Sequence, residues 1–360
     1  MNSNGTQVNS ALDHLCEPAL MEIRPNLFAV KFDLMKIVPA RFILENALAT
    51  GQLEPGGLVV ESSSGTFALG LAMVCANIGL RLSLVTGPLE PSVRWRLEHL
   101  GASIESVPST AGETLGGIQQ ARLDYLQGVL AKNPSAFWPQ QYTNPLHPAS
   151  YANIAGELGQ SMGDVDFIVA SVGSGGSMCG MSRILRKTNP DLKVIGVDHN
   201  LSVLFGPTTG KAYPLCQECY VPLLGMGSDI VIPNLDHAEC DEVHWLPVAK
   251  MINAVHDLHS QYGLFLGPTA GAAYAVADWV AKNNPGKNVL TIFPDHGIRY
   301  LQTIFDPQWL GERDAELKRD WSNPIAVDSP TKVSKDWEYF PWERRTYQQV
   351  MGHEPVSRGK

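Results

Sequence analysis

The sequence predicts an α/β protein built as two doubly wound lobes. Three observations carry this. Short apolar runs alternate with helical patterns along most of the chain. Several of those runs are nearly continuous and β-branched, as parallel strands buried on both faces require. And 360 residues exceed what one hydrophobic core usually organises.

The elements follow in order. A helix over Arg41 to Thr50 stops at Gly51, and the apolar run Leu58 to Glu61 reads as the first strand. The helix Ala68 to Ile78 ends at Gly79, and Leu82 to Thr86 is the next strand. Pro91 opens a helix to Leu100, a position where proline is tolerated, and Ser103 to Val107 follows as a strand. A long helix is expected from Thr114 to Leu130. Strand Phe167 to Val172, helix Met178 to Lys187 and strand Val194 to Asp198 form one βαβ unit. Helices Val248 to Tyr262 and Gly271 to Lys282, then the strand Val289 to Phe293, complete the alternation. Beyond Asp306 the pattern breaks. Five prolines punctuate residues 307–360, together with Trp321, Trp337, Tyr339, Phe340 and Trp342. A disordered tail would be poor in aromatics, so this extension is expected to adhere to its own body, to a second subunit or over a cleft.

Composition excludes several classes of function. Lys plus Arg is 27 against 36 for Asp plus Glu, a net charge of -9, which disfavours nucleic acid and anionic membranes as partners. No apolar run approaches the roughly 20 residues of a membrane span. The start, Met1 to Gln7, shows neither a basic region nor an apolar one, so a cytoplasmic protein is expected. Six cysteines are too few for a disulfide scaffold; Cys75 and Cys179 read as buried thiols. Cys216 and Cys219 form a lone CxxC. Cys240, His237, His256 and His259 do not supply the second tight ligand pair of a structural zinc site, so no metal is expected.

Three strand–loop–helix junctions could carry chemistry. Gly173-Ser174-Gly175-Gly176-Ser177 lets backbone N–H groups converge at a helix N-terminus, which suits a phosphate or is simply a tight turn. Met178 stands where the third glycine of a dinucleotide fingerprint would be, and no GxxxxGK[ST] occurs. Glu61-Ser62-Ser63-Ser64-Gly65-Thr66-Phe67 gathers hydroxyls before a helix, which suits a carboxylate or merely caps that helix. Leu266-Gly267-Pro268-Thr269-Ala270-Gly271 presents another loop hydroxyl. None of these serines lies in GxSxG.

Taken in order, these loops resemble the fold type II pyridoxal-phosphate enzymes, the cysteine synthase and cystathionine β-synthase family, whose architecture is tryptophan synthase β-like. The match runs from about Lys31 to Phe305. Glu61 to Ala72 resembles the substrate-carboxylate loop TSGNTG and its helix, and Gln140-Gln141-Tyr142-Thr143-Asn144-Pro145 resembles QQFxNP. Gly173 to Ser177 resembles the phosphate cup GTGGT, and Gly225-Met226-Gly227 the GIG turn. Gly267 to Gly271 resembles the loop facing the pyridine nitrogen, and Pro294 to Leu301 resembles PDSGERYL. The usual lysine string NPxGSxKDR is absent. Aligning its end on Arg41 would put Pro39 on the lysine. Counting back about 15 residues from the glycine landmark at Gly51 gives Lys36 instead, with Lys31 as the fallback.

The resemblance implies pyridoxal 5'-phosphate joined to Lys36, its phosphate on Gly173, Ser174, Gly175, Gly176 and Ser177, its ring nitrogen beside Thr269, and Thr66 near its phenolic oxygen. It implies a substrate carboxylate on Ser63, Ser64, Gly65, Thr66 and Phe67, with Gln140 and Gln141 alongside. The implied reaction is β-replacement on an O-activated serine through an aminoacrylate, making cysteine or a specialised non-proteinogenic amino acid. Elimination of the dehydratase type and a non-catalytic regulatory role are the alternatives. Two departures sit where substrate is read: Thr66 replaces an asparagine and Phe67 a threonine. A homodimer is implied. The expected division is a large lobe of residues 1–36 plus 139–306, a small mobile lobe of 37–138, and the extension 307–360.

Overall fold

Strand and helix alternate as the sequence pattern requires. The computed structural model describes residues 10–108, 116–206, 225–313, 317–319 and 321–357. Among these residues, eleven strands form two sheets: β1 (Ala19–Arg24), β2 (Leu27–Lys31), β3 (Leu58–Ser62), β4 (Arg81–Thr86), β5 (Ala102–Ser106), β6 (Phe167–Ser171), β7 (Lys193–Asp198), β8 (Glu242–Trp245), β9 (Val289–Phe293), β10 (Ile325–Ala326) and β11 (Glu338–Pro341). The helices are α1 (Ala11–Cys16), α2 (Ile37–Ala49), α3 (Thr66–Ile78), α4 (Pro91–His99), α5 (Gly117–Lys132), α6 (Leu146–Ala149), α7 (Ala152–Met162), α8 (Gly176–Thr188), α9 (Val248–Tyr262), α10 (Pro268–Asn283), α11 (Pro307–Gly311) and α12 (Tyr347–Met351).

The smaller sheet is β3-β4-β5, all parallel. The larger has the order β1-β2-β9-β6-β7-β8-β11-β10, with a parallel centre from β2 to β8. Central strands β9 and β7 are buried almost throughout, because helices cover both faces. At one edge β1 and β2 form an antiparallel hairpin. Asn26 takes a left-handed φ of 65° in its turn, and its amide donates to the carbonyls of Ala281, Asn284 and Lys287.

The extension packs on its own body. β11 pairs antiparallel with β8, Trp337 and Trp342 are buried, and the Trp337 indole donates to His244 Nδ1 at 3.0 Å. Arg344 Nε lies 2.9 Å from the Asp241 carboxylate and clamps the chain after β11. Cys216 and Cys219, and the expected helix start at Thr114, lie outside the described residues. No helix among the described residues is long and apolar enough to cross a membrane.

Candidate active site

The segment that carries Lys36 is pinned to the end of β9. Phe32 N donates to Phe293 O and Met35 N to Pro294 O, each at 2.8 Å. Lys36 is then the N-cap of α2. Pro39 falls in the first helical turn, where its missing N–H has no intrahelical partner to lose. The Lys36 amine donates to Ser174 Oγ at 2.6 Å and lies 3.1 Å from His147 Nε2. Burial pushes that amine down to about 7. Lys31 is at the end of β2 and pairs with Asp33 at 2.6 Å, away from the cleft.

A cleft of about 100 Å³ opens at the Lys36 amine. One wall is the loop Ser63 to Gly65 with Thr66 and Phe67 from the first turn of α3; the opposite wall includes Gly173, Ser174 and the turn Gly225 to Gly227; Gln141 and Tyr142 also line it. The fold thus brings the Ser63, Gln141, Gly173 and Gly225 loops to the lysine from separate parts of the sequence. The first turn of α3, whose N–H groups have no intrahelical partner, lines this space, as a carboxylate site requires. Gln141 is buried: its amide donates to Ser62 O at 3.2 Å and its N–H to Glu61 at 3.2 Å. Gln140 is placed differently from the expectation. It is exposed, at φ 57° in a turn, with its side chain accepting from Thr143, so it does not line the cleft. Thr269 is buried on the first turn of α10, one layer behind Gly225.

The glycines of the Gly173 to Ser177 loop are required by close packing against its neighbours. A Cβ on Gly173 would sit 2.5 Å from Gly225 O, and one on Gly176 2.9 Å from the His147 ring. Gly175 takes φ 72° at the N-cap of α8. The loop is therefore side-chain-free at three of its four first positions, with Ser174 and Ser177 buried beside it. A buried amine with a depressed pKa, a hydroxyl-bearing glycine cup and a helix N-terminus in one cleft together suit a phosphorylated aldehyde cofactor.

Sequence reasoning missed Gln119, Arg122, His147 and Arg299. Arg122, on α5, donates to Ser64 Oγ at 2.6 Å, is 4% exposed, and keeps its Nε buried without a hydrogen-bond partner. Among the described residues it has no carboxylate within ion-pair distance. Arg299 donates to Ser64 O at 3.3 Å and approaches Glu90 at 3.7 Å. Gln119 accepts from Ser228 Oγ and Asp229 N and so ties α5 to the opposite wall. The available signal was spacing: Gln119 and Arg122 are i, i+3 and share one face of α5, a pattern that reads as solvated surface unless something covers it. Phe67, expected to change the room for substrate, is 2% exposed and stacks on His147 at 6.1 Å between ring centres.

The chain is similar to known proteins over most of its length. The model for the family described as pyridoxal-phosphate dependent enzyme matches residues 35–295. The chain is 36% identical over 280 residues to N-(2-amino-2-carboxyethyl)-L-glutamate synthase of Cupriavidus metallidurans, covering 76% of this chain and 79% of that one. It is 34% identical over 276 residues to the protein of the same name from Ralstonia nicotianae, covering 76% and 78%. Among solved structures, O-ureido-L-serine synthase superposes with a TM-score of 0.72 at 25% identity, covering 87% of this chain and 99% of that one. The O-acetylserine dependent cystathionine beta-synthase of Helicobacter pylori gives 0.72 at 23%, covering 82% and 98%, and shares the fold.

Proposed function

The chain belongs to the pyridoxal-phosphate dependent enzyme family, and from that premise we propose that it joins an acidic amine to Cβ of an O-activated serine, making a non-proteinogenic amino acid by β-replacement. The name of the Cupriavidus and Ralstonia relatives describes such a product, a 2-amino-2-carboxyethyl group on the nitrogen of glutamate. The observation that carries the reading is Arg122. A buried guanidinium with no carboxylate partner among the described residues faces the same cleft as the α3 N-terminus. Burying a cation is costly unless an anion joins it, so the cleft favours a substrate with an anionic group beyond its α-carboxylate.

Pyridoxal phosphate, when bound, supplies the electron sink that weakens the Cα–H and Cβ–O bonds of an amino acid. We assign Lys36 as its covalent anchor, Gly173 to Ser177 as its phosphate cup, Thr269 as the group nearest its ring nitrogen and Thr66 as the donor nearest its phenolic oxygen. Ser63 to Phe67 hold the substrate carboxylate, because N–H groups and hydroxyls gather there at the start of α3, with Gln141 alongside at the end of the cleft. Burial holds the Lys36 amine well below the ordinary lysine value, which favours its neutral form as the base that takes the Cα proton. Residues 37–138 form the small lobe that closes on the carboxylate and excludes water, residues 1–36 plus 139–306 the large lobe, and the protein acts as a cytoplasmic homodimer.

The test is a product assay. Purified enzyme is given O-acetylserine or O-phosphoserine with glutamate, aspartate, sulfide or homocysteine, and products are identified by mass spectrometry. A Cβ–N adduct formed with glutamate or aspartate, well above any thioether or cysteine, supports the proposal. Cysteine as the main product, or pyruvate with every nucleophile, refutes it.

A further inference from the structure

His147 is one of two side chains that, among the described residues, are bonded to the Lys36 amine, and the function above gives it no task. Its protonation pattern is fixed by its surroundings. Nδ1 lies 2.7 Å from the carbonyl oxygen of Gln141, which can only accept, so Nδ1 carries the hydrogen. In a neutral ring Nε2 then turns a lone pair toward Lys36 Nζ, 3.1 Å away. Neutrality follows from burial first and from the Lys36 charge second, both of which hold the imidazole well below its ordinary value. The first turn of α8 adds positive potential on the same side, since Gly176 comes against the ring.

The ring is also clamped. Phe67 stacks on one side at 6.1 Å with planes 28° apart, and Tyr151 lies 6.2 Å away on another. A side chain on Gly176 would displace it. Two acceptors thus meet the lysine amine from independent elements, Ser174 from the loop before α8 and His147 from α6. Their directions leave Nζ little freedom to turn within the cleft.

We propose that His147 is a positioning residue for Lys36, its locked imidazole holding the free lysine amine at the cleft floor beside Ser174. The proposal rests on the assignment of Lys36 as the cofactor lysine. A neutral acceptor favours the ammonium form of its partner over the amine. The other charged side chains lining the cleft, Arg122 and Arg299, are cations that every variant below retains.

The experiment measures Lys36 itself, with no need of turnover. Full-length protein freed of cofactor is labelled competitively with trace acetic anhydride across pH. Acylation of Lys36 is compared with that of exposed Lys335 by mass spectrometry, for wild type, His147→Phe and His147→Gln. Circular dichroism confirms that each variant folds. The midpoint for Lys36 is expected to fall by about one pH unit in His147→Phe, since hydrogen bonds to charged groups are worth about that much. It should return most of the way in His147→Gln, whose amide oxygen can accept. Equal midpoints in all three proteins, or the same fall in both variants, overturn the proposal. A pyridoxyl group that borohydride fixes on some lysine other than Lys36 overturns the underlying assignment instead, whatever the midpoints do.

Discussion

Gly70 lies in α3, where that helix crosses the backbone of Lys36. A Cβ built there meets Lys36 O at 2.8 Å, Lys36 C at 2.9 Å and Ile37 N at 3.0 Å. All three are main-chain atoms, so no rotamer change relieves the contact. Reaching an ordinary 3.4 Å separation requires α3 and the start of α2 to part by about 0.6 Å. Gly128, in α5, is also helical, and a methyl group there would meet nothing within 4 Å. Alanine in a helix interior is better than glycine by about 0.5–1 kcal/mol, so Gly128→Ala should stabilise by that amount. At Gly70 the same gain is set against an overpacking cost of about 1–3 kcal/mol, and net destabilisation should follow. Urea denaturation of the two variants tests the signs, and titration with pyridoxal phosphate followed by visible absorbance tests the site. Gly70→Ala should be less stable than wild type and bind the cofactor more weakly, while Gly128→Ala gains stability and binds normally. If Gly70→Ala is as stable as Gly128→Ala and titrates like wild type, α3 does not fix the position of Lys36.

Arg122→Gln should raise KM for an anionic substrate by roughly 10-fold or more while leaving the melting temperature nearly unchanged, since a charge-assisted contact is worth about 1.5–3 kcal/mol; steady-state kinetics with acidic and neutral nucleophiles checks this. Burial pushes the Glu61 carboxyl up to about 7 despite donors from Ser62, Trp138 and Gln141. Its folded value lies above the unfolded one, so its contribution to stability is present below pH 4.5 and is lost as pH rises to about 7. Glu61→Gln should therefore flatten the fall in stability between about pH 5 and 7.5, as measured by urea denaturation of the cofactor-free protein at both pH values. Trp342 is fully buried against Phe205 and Tyr347, so Trp342→Ala should cost about 3–5 kcal/mol in the same denaturation assay.

The parts of the molecule that the sequence shows well are those with local physical causes. Val289 to Phe293 is apolar but for Thr291, whose hydroxyl donates to Val169 O, because helices cover the strand on both faces, and the structure forms it over the same five residues. The loops at Ser63, Gly173 and Thr269 announce themselves through glycines and hydroxyls before helices. Lys36 follows from the distance to Gly51. Other features depend on contacts that sequence spacing does not encode. Strands β1, β11 and β10, toward the two ends of the larger sheet, lack a continuous apolar run, and they form because that sheet offers them a partner. Helices α2 and α10 begin earlier than expected, since Pro39 and Pro268 are admitted in first turns. Arg122 reads as a surface charge until α5 is seen to lie across the cleft, and His147 reads as a loop histidine until Gly176 brings α8 against its ring. Gln140 reads as a site residue because it adjoins Gln141, but its left-handed turn carries it out to solvent.

The most direct measurement reduces the cofactor-loaded enzyme with borohydride, digests it with trypsin and locates the pyridoxyl group by peptide mass spectrometry, with Lys36→Ala alongside. The account predicts the group on Lys36, in the peptide spanning residues 32–41, and no covalent pyridoxyl group in the variant. A group on Lys31 or on any other lysine, or a Lys36→Ala protein that still carries one, contradicts it.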